Sequence, residues 1–151
     1  MADPKNAFEK RKQNLLNLEL FMRVYIGDDA DEFGSVKVND ALLRASGLAE
    51  NELWGHAYRN TRKELRTPSL AETLGLPEEL ADSVPFIVVN TVNAHDGGAA
   101  LAFPDIFHDI CLKKHVNQCY ILPSSVEEVL ALPVHDESAF DRQNSPGWWI
   151  A

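Results

Sequence analysis

Residues 85–90, Pro85-Phe86-Ile87-Val88-Val89-Asn90, form a nearly continuous apolar run. A strand with one wet face alternates in polarity, so an unbroken run predicts a central strand buried on both faces. Such a strand needs a neighbour on each edge and cover above and below. The rest of the chain must supply them.

Downstream, a polar turn over 93–98 is followed by Ala99-Ala100-Leu101-Ala102, which reads as a short returning strand. Pro104 suits a first helical position and opens a helix over 105–114. Ile106, Phe107, Ile110 and Cys111 recur on its inner face. Residues 119–122 and 129–134 read as the last two strands, joined through Pro123-Ser124-Ser125 and the carboxylates Glu127 and Glu128. Phe86, Val88, Ile106, Ile110, Ile121 and Leu132 are expected to be buried together, because sequential elements pack as neighbours.

Upstream, residues 5–16 read as a surface helix or arm. Residues 18–26 read as one strand stopped by Gly27-Asp28-Asp29, with 35–38 returning beside it. Asn39 is a plausible N-cap for a helix running to Ser46, and Gly47 ends it. Leu53, Trp54, Ala57, Tyr58 and Leu65, with Thr61 completing the row, recur at spacings of three and four, which predicts a helix over 50–65. Ser69-Leu70-Ala71-Glu72 has the form of a capping box for a short helix. Gly75 and Pro77 separate it from another short helical piece at 78–83.

The order β-β-α-α-β-β-α-β-β points to an α+β fold: a mostly antiparallel sheet of about six strands with helices packed on it. A doubly wound fold would need strands alternating singly with helices and a glycine-rich first turn, and neither is present. The 151 residues, 45% of them apolar, fit a single domain, with a polar tail over 135–151 that ends in Trp148-Trp149.

The net charge is −9, and all of it lies in the C-terminal part: residues 67–151 carry three basic and twelve acidic side chains, whereas residues 1–66 balance. That part is unsuited to phosphate backbones, so no direct nucleic-acid partner is expected. No apolar run is long enough to span a bilayer, and the N-terminus lacks the apolar core of a signal peptide. A cytoplasmic location with no membrane partner is the expectation. Cys111 and Cys119 are too few for a disulfide framework and read as small apolar residues.

The block Gly98-Ala99-Ala100-Leu101-Ala102-Phe103-Pro104, then a helix, then Tyr120-Ile121-Leu122-Pro123-Ser124-Ser125-Val126-Glu127-Glu128-Val129, resembles an uncharacterised bacterial family. Its pattern runs G-A-A-x-x-x-Y-P, helix, F-Y-I-L-P-S-S-I-H-E-V-I, with an Asn several residues before the first block, matched by Asn90. The resemblance spans roughly residues 15–134. It marks Asn90, Gly98, Ala99, Ala100, Pro104, Leu122, Pro123, Ser124, Ser125 and Glu128 as characteristic residues. Family members usually carry an extra N-terminal half, so the chain resembles their C-terminal domain. The position commonly His in the family is Glu127 here. The resemblance implies a fold and no chemistry.

Several constellations invite a chemical reading. Ser124 or Ser125 with Glu128 would suit a hydrolase-like enzyme, but the flanks are not G-x-S-x-G, and the family histidine, the best base, is absent. A hairpin turn held by serine hydroxyls bonded to backbone explains the same residues, with Glu128 approaching Asn90. His95-Asp96 beside Gly97-Gly98 reads as a turn. His108, Asp109 and His115 lack metal-ligand spacing. Residues 29–40 approach an EF-hand pattern, but Phe33 cannot ligate and Asp40 is short for the last position. The basic helix face of Arg59, Arg62, Lys63 and Arg66 reads as solvated. No cofactor or metal is expected.

Trp148 and Trp149, after a polar stretch, should pack on this chain or anchor a partner. The leading expectation is a non-enzymatic protein-interaction or regulatory domain. Its partner is an unidentified protein, a basic one if charge guides it, or a second copy in a homodimer. The alternatives are the hydrolase and an acidic nucleic-acid mimic that inhibits a basic protein.

Overall fold

The computed structural model describes residues 11–12, 19–26, 34–135 and 149–150. Where the sequence reads as one domain, the chain groups into two compact units, residues 1–60 and 61–151.

In the first unit, β1 (Arg11–Lys12) pairs antiparallel with β2 (Glu19–Leu20), and β3 (Arg23–Ile26) with β4 (Gly34–Lys37). The single strand expected over 18–26 is thus two, separated at Phe21–Met22 because the ladder changes partners there. Leu20 pairs with Arg11, while the Met22 carbonyl accepts from Val38 N at 2.9 Å. Helix α1 (Asp40–Ser46) starts as its local sequence dictates. Asn39 Oδ1 accepts from Leu42 N at 3.0 Å, and Gly47 closes the helix at φ 69°, a left-handed conformation open to glycine. Met22, Val38 and Trp54 form this unit's buried cluster, with Leu43 and Tyr58 packed against it. Trp54 belongs to α2 (Glu50–Glu64).

In the second unit, α2 ends one residue short of the expected Leu65. Leu65–Arg66 instead forms β5, paired with β6 (Ile87–Thr91). Arg66 Nη1 donates to the carbonyls of Lys63 at 2.7 Å and Leu65 at 2.8 Å, which satisfies acceptors that the end of the helix leaves open. Ser69 caps α3 (Leu70–Thr73), its Oγ accepting from Glu72 N at 3.0 Å, and a 3₁₀ helix follows over Glu78–Ser83. β6 is the central strand its apolar run predicts, with Val88 and Val89 wholly buried.

Residues 99–102 correct the expected strand. They belong to a 3₁₀ helix, Gly97–Ala102. Asp96 sits at φ 52° and turns the chain away from β6, and the N–H groups of Gly97 and Gly98 donate to a different loop. Side chains no larger than Ala at five of the six positions allow the tight turn, and Ala100 is fully buried. Helix α4 (Pro104–Lys114) follows, with Pro104 in its first turn, and His115 closes it in a left-handed conformation at φ 54°.

β7 (Gln118–Pro123) and β8 (Val129–Val134) form a hairpin, and β9 (Trp149–Ile150) adds to the outer edge of β7. The sheet order is β5-β6-β8-β7-β9, antiparallel throughout. The α+β class and antiparallel pairing hold. Among the described residues the strands are distributed over this five-stranded sheet and two two-stranded ribbons, rather than one sheet of about six.

The expected six-residue core is divided by the sheet. Val88 pairs with Leu130, and Leu130 and Leu132 lie two residues apart on β8, so Val88 and Leu132 share one face. There Tyr120, Leu132 and Val134 cluster with half-buried Phe86 and Leu122. Ile121 pairs with Ala131 and faces the other way, alongside Cys119. Cys111 of α4 lies beside Cys119, and α4 packs on β7 and β8, so α4 covers that second face. Ile106, Ile110 and Ile121 are all buried.

Candidate functional site

The characteristic residues converge on two interlocked loops at one end of β6, β7 and β8. The first runs from Asn90 to Gly98. Thr91, a buried polar residue, organises it: Thr91 Oγ1 accepts from His95 N at 3.0 Å and donates to the His95 carbonyl. Ala94 and Asp96 take left-handed backbone at φ 55° and 52°, so the loop turns sharply twice. Non-glycine residues adopt this conformation only where surrounding bonds impose it.

The second loop spans 123–128. Ser125 Oγ accepts from Glu127 N at 3.0 Å and Glu128 N at 3.2 Å, and Ser125 N donates to the Glu128 carbonyl at 3.2 Å. This is the serine-held turn expected for Ser125. Ser124 differs: its Oγ donates to Glu128 Oε1 at 3.1 Å, a carboxylate rather than backbone.

The loops lock through backbone. Gly97 N donates to Glu127 O, and Gly98 N to Val126 O, both at 3.0 Å. Glu127 adds a side-chain tie: its Oε2 accepts from Asp96 N at 3.2 Å and lies 3.6 Å from His95 Nδ1. A Cβ on Gly97 would stand 2.2 Å from Glu127 O and 2.8 Å from Asn90 Cα. Only glycine permits so close an approach. The β6–β8 register, continued one residue beyond Val89↔Val129, sets Glu128 opposite Asn90, the neighbourhood expected for it.

Asn90, Gly98, Leu122, Pro123, Ser124, Ser125 and Glu128 therefore gather at this lock. Ala99 and Ala100 continue from it into the 3₁₀ helix, and Pro104 starts α4 beyond it. Sequence reading singled out Gly98, but Gly97 is under the tighter constraint. It passed over Thr91, and it noted Glu127 only as the position commonly His in the family; both acquire their roles only from a partner in the folded loops.

The hydroxyl and carboxylate of Ser124 and Glu128 are close enough for proton exchange. The geometry offers them little else. The Gly97 and Gly98 N–H groups, the kind of donor an oxyanion needs, are spent on carbonyls, and His95 faces Glu127. Among the described residues, no group of three His, Cys, Asp or Glu side chains is placed to hold a metal ion. The EF-hand-like segment lies partly outside the described residues, and its described part is β4 and the Asn39 cap. On the basic helix, Arg59 contacts His56 and Arg62 pairs with Asp105. Burial beside Cys111 pushes the Cys119 thiol up to about 12. Trp148 lies outside the described residues; Trp149 enters β9, opposite Ile121.

Fold and site together define a small α+β protein whose sheet is closed at one end by a loop-on-loop lock. The chain belongs to a family of unknown function, DUF5688, which matches residues 9–144. No curated protein and no solved structure matches the chain. No helix among the described residues is long and apolar enough to cross a membrane.

Proposed function

We propose that this protein is a non-enzymatic, bacterial cytoplasmic interaction module. One observation carries the reading: β9 adds to the exposed edge of β7, with Ile150 and Trp149 opposite Tyr120 and Ile121. An extended segment from far along the chain thus docks by strand addition, which proteins also use to capture peptides. β7 has six residues, and among the described residues β9 pairs with two of them. The occupant in a working complex is an extended, apolar-aromatic segment of another protein, or the tail of a second copy in a homodimer. The acidity of the C-terminal part favours a basic partner. Acting as an acidic nucleic-acid mimic would be one use of that charge.

Deleting residues 146–151 and measuring mass by sedimentation tests the tail's role. A tail docked on a second copy converts dimer to monomer; a tail docked on its own sheet lowers the melting temperature at constant mass. If neither changes, and the deletion also leaves capture of partners from the native host unaltered, edge docking is not the function.

The 3.1 Å contact between Ser124 Oγ and Glu128 Oε1 favours one second reading, a hydrolase-like enzyme with Ser124 as nucleophile and Glu128 as base. A fluorophosphonate probe that labels the wild type but not Ser124→Ala would support it. Absence of labelling would leave the contact as a brace of the turn, the role Ser125 already plays.

A further inference from the structure

Within the second unit, the last turn of α2, β5 and α4 enclose a cleft of about 220 Å³ that shares no residue with the loop lock. Its floor is apolar and buried: Leu65, Ile106 and Ile110. Its rim carries three cations, Arg62, Arg66 and Lys113, and one acid, Asp109. Cations gathered on one cleft of a chain with net charge −9 are a local reversal of sign.

The cations are held in ways that leave donors to spare. Arg62 Nε and Nη2 both donate to one oxygen, Asp105 Oδ2, at 3.1 and 2.9 Å. Nη1 of Arg62 is not used in this pair. Arg66 spends Nη1 on carbonyls at the end of α2, which fixes the side chain and leaves its other nitrogens without a partner among the described residues. Lys113 has no partner among the described residues. Asp109 reaches Arg62 only at 4.0 Å, a weak contact between exposed groups.

We propose that this cleft binds a small phosphate monoester, with the phosphoryl group on the rim and an apolar body on the floor. Two guanidinium groups and an ammonium can serve three phosphoryl oxygens, whereas a carboxylate offers two. A dianion also gains more than a monoanion from a site already partly neutralised by Asp109. The volume equals about seven water volumes, enough for one phosphoryl group and one ring-sized apolar body. Leu65, Ile106 and Ile110 present a small apolar contact at the floor, which a free inorganic anion cannot use.

Titration of the full chain with phenyl phosphate, followed by amide proton–nitrogen spectra, tests the assignment. Saturable shifts are expected at residues 62–67 and 105–113. Lys113→Glu, an exposed change that breaks no contact among the described residues, should weaken binding about tenfold, and Asp109→Asn should tighten it about threefold. Inorganic phosphate and benzyl alcohol should each bind less tightly than phenyl phosphate. The assignment is overturned if no saturable shift occurs by about 10 mM ligand, or if both variants, folded by circular dichroism, keep the wild-type affinity. Equal binding of inorganic phosphate overturns the role of the floor, and equal binding of benzyl alcohol overturns that of the cations.

Discussion

Gly97→Ala should destabilise the second unit far more than one added methyl group normally does. The new Cβ would lie 2.2 Å from Glu127 O, 2.8 Å from Asn90 Cα and 2.9 Å from Val89 O. All three are backbone atoms, so no side-chain rotation relieves the clash. Ordinary contact begins near 3.4 Å, so the 123–128 loop must retreat by roughly 1 Å. That retreat stretches the bonds from Gly97 N to Glu127 O and from Gly98 N to Val126 O, both now 3.0 Å. Overpacking costs about 1–3 kcal/mol and each weakened bond up to about 1 kcal/mol. The stiffer unfolded chain returns about 0.4–1 kcal/mol. Mid-range values leave a net loss of about 2 kcal/mol, or roughly 4–8 °C in melting temperature for a chain of this size. Urea unfolding followed by circular dichroism reads it directly. Gly98→Ala is the internal control: its nearest contact, Val126 O at 3.1 Å, asks for a shift of only a few tenths of an ångström, and its loss should stay within about 1 kcal/mol. A Gly97→Ala loss below about 0.5 kcal/mol would refute the lock.

Three further outcomes follow from the same geometry. Ile121→Ala should cost about 2–5 kcal/mol in chemical denaturation, because Ile121 is 2% exposed between the sheet and α4; a loss well under 1 kcal/mol would place α4 elsewhere. Ser125→Ala should cost about 1 kcal/mol by removing the acceptor for two N–H groups, while Ser124→Ala should stay within about 0.5 kcal/mol, as thermal melts of the pair would show. The Cys119 thiol is raised from 9.0 to about 12, so the folded state holds it neutral while the unfolded chain ionises. Its contribution to stability is complete below pH 9 and is lost as pH rises towards 12; Cys119→Ala should flatten the alkaline fall in melting temperature, and an unchanged slope would refute this.

What the sequence determined alone were features whose cause is local. The run over Phe86–Val89 had to be central because no polar position faces water. Asn39, Gly47 and Ser69 cap helices through bonds that reach three residues at most. Pro104 suits only the opening turn of a helix. Partner choice was not legible in this way. Residues 99–102 satisfy a short strand or a 3₁₀ turn equally well by composition. The N–H groups at Gly97 and Gly98 decided between them by finding carbonyls some thirty residues onward. The apolar runs of β6, β7 and β8 announced burial without saying which strand lay beside which. They therefore could not divide Val88 and Leu132 from Ile121. The motif serines were visible as a polar knot, but whether Ser125 holds a turn or attacks a substrate depends on which groups face it. Period and capping are properties of a segment. Register, sheet order and the meeting of two loops are properties of the packed chain, set by whichever arrangement satisfies every buried polar group at once.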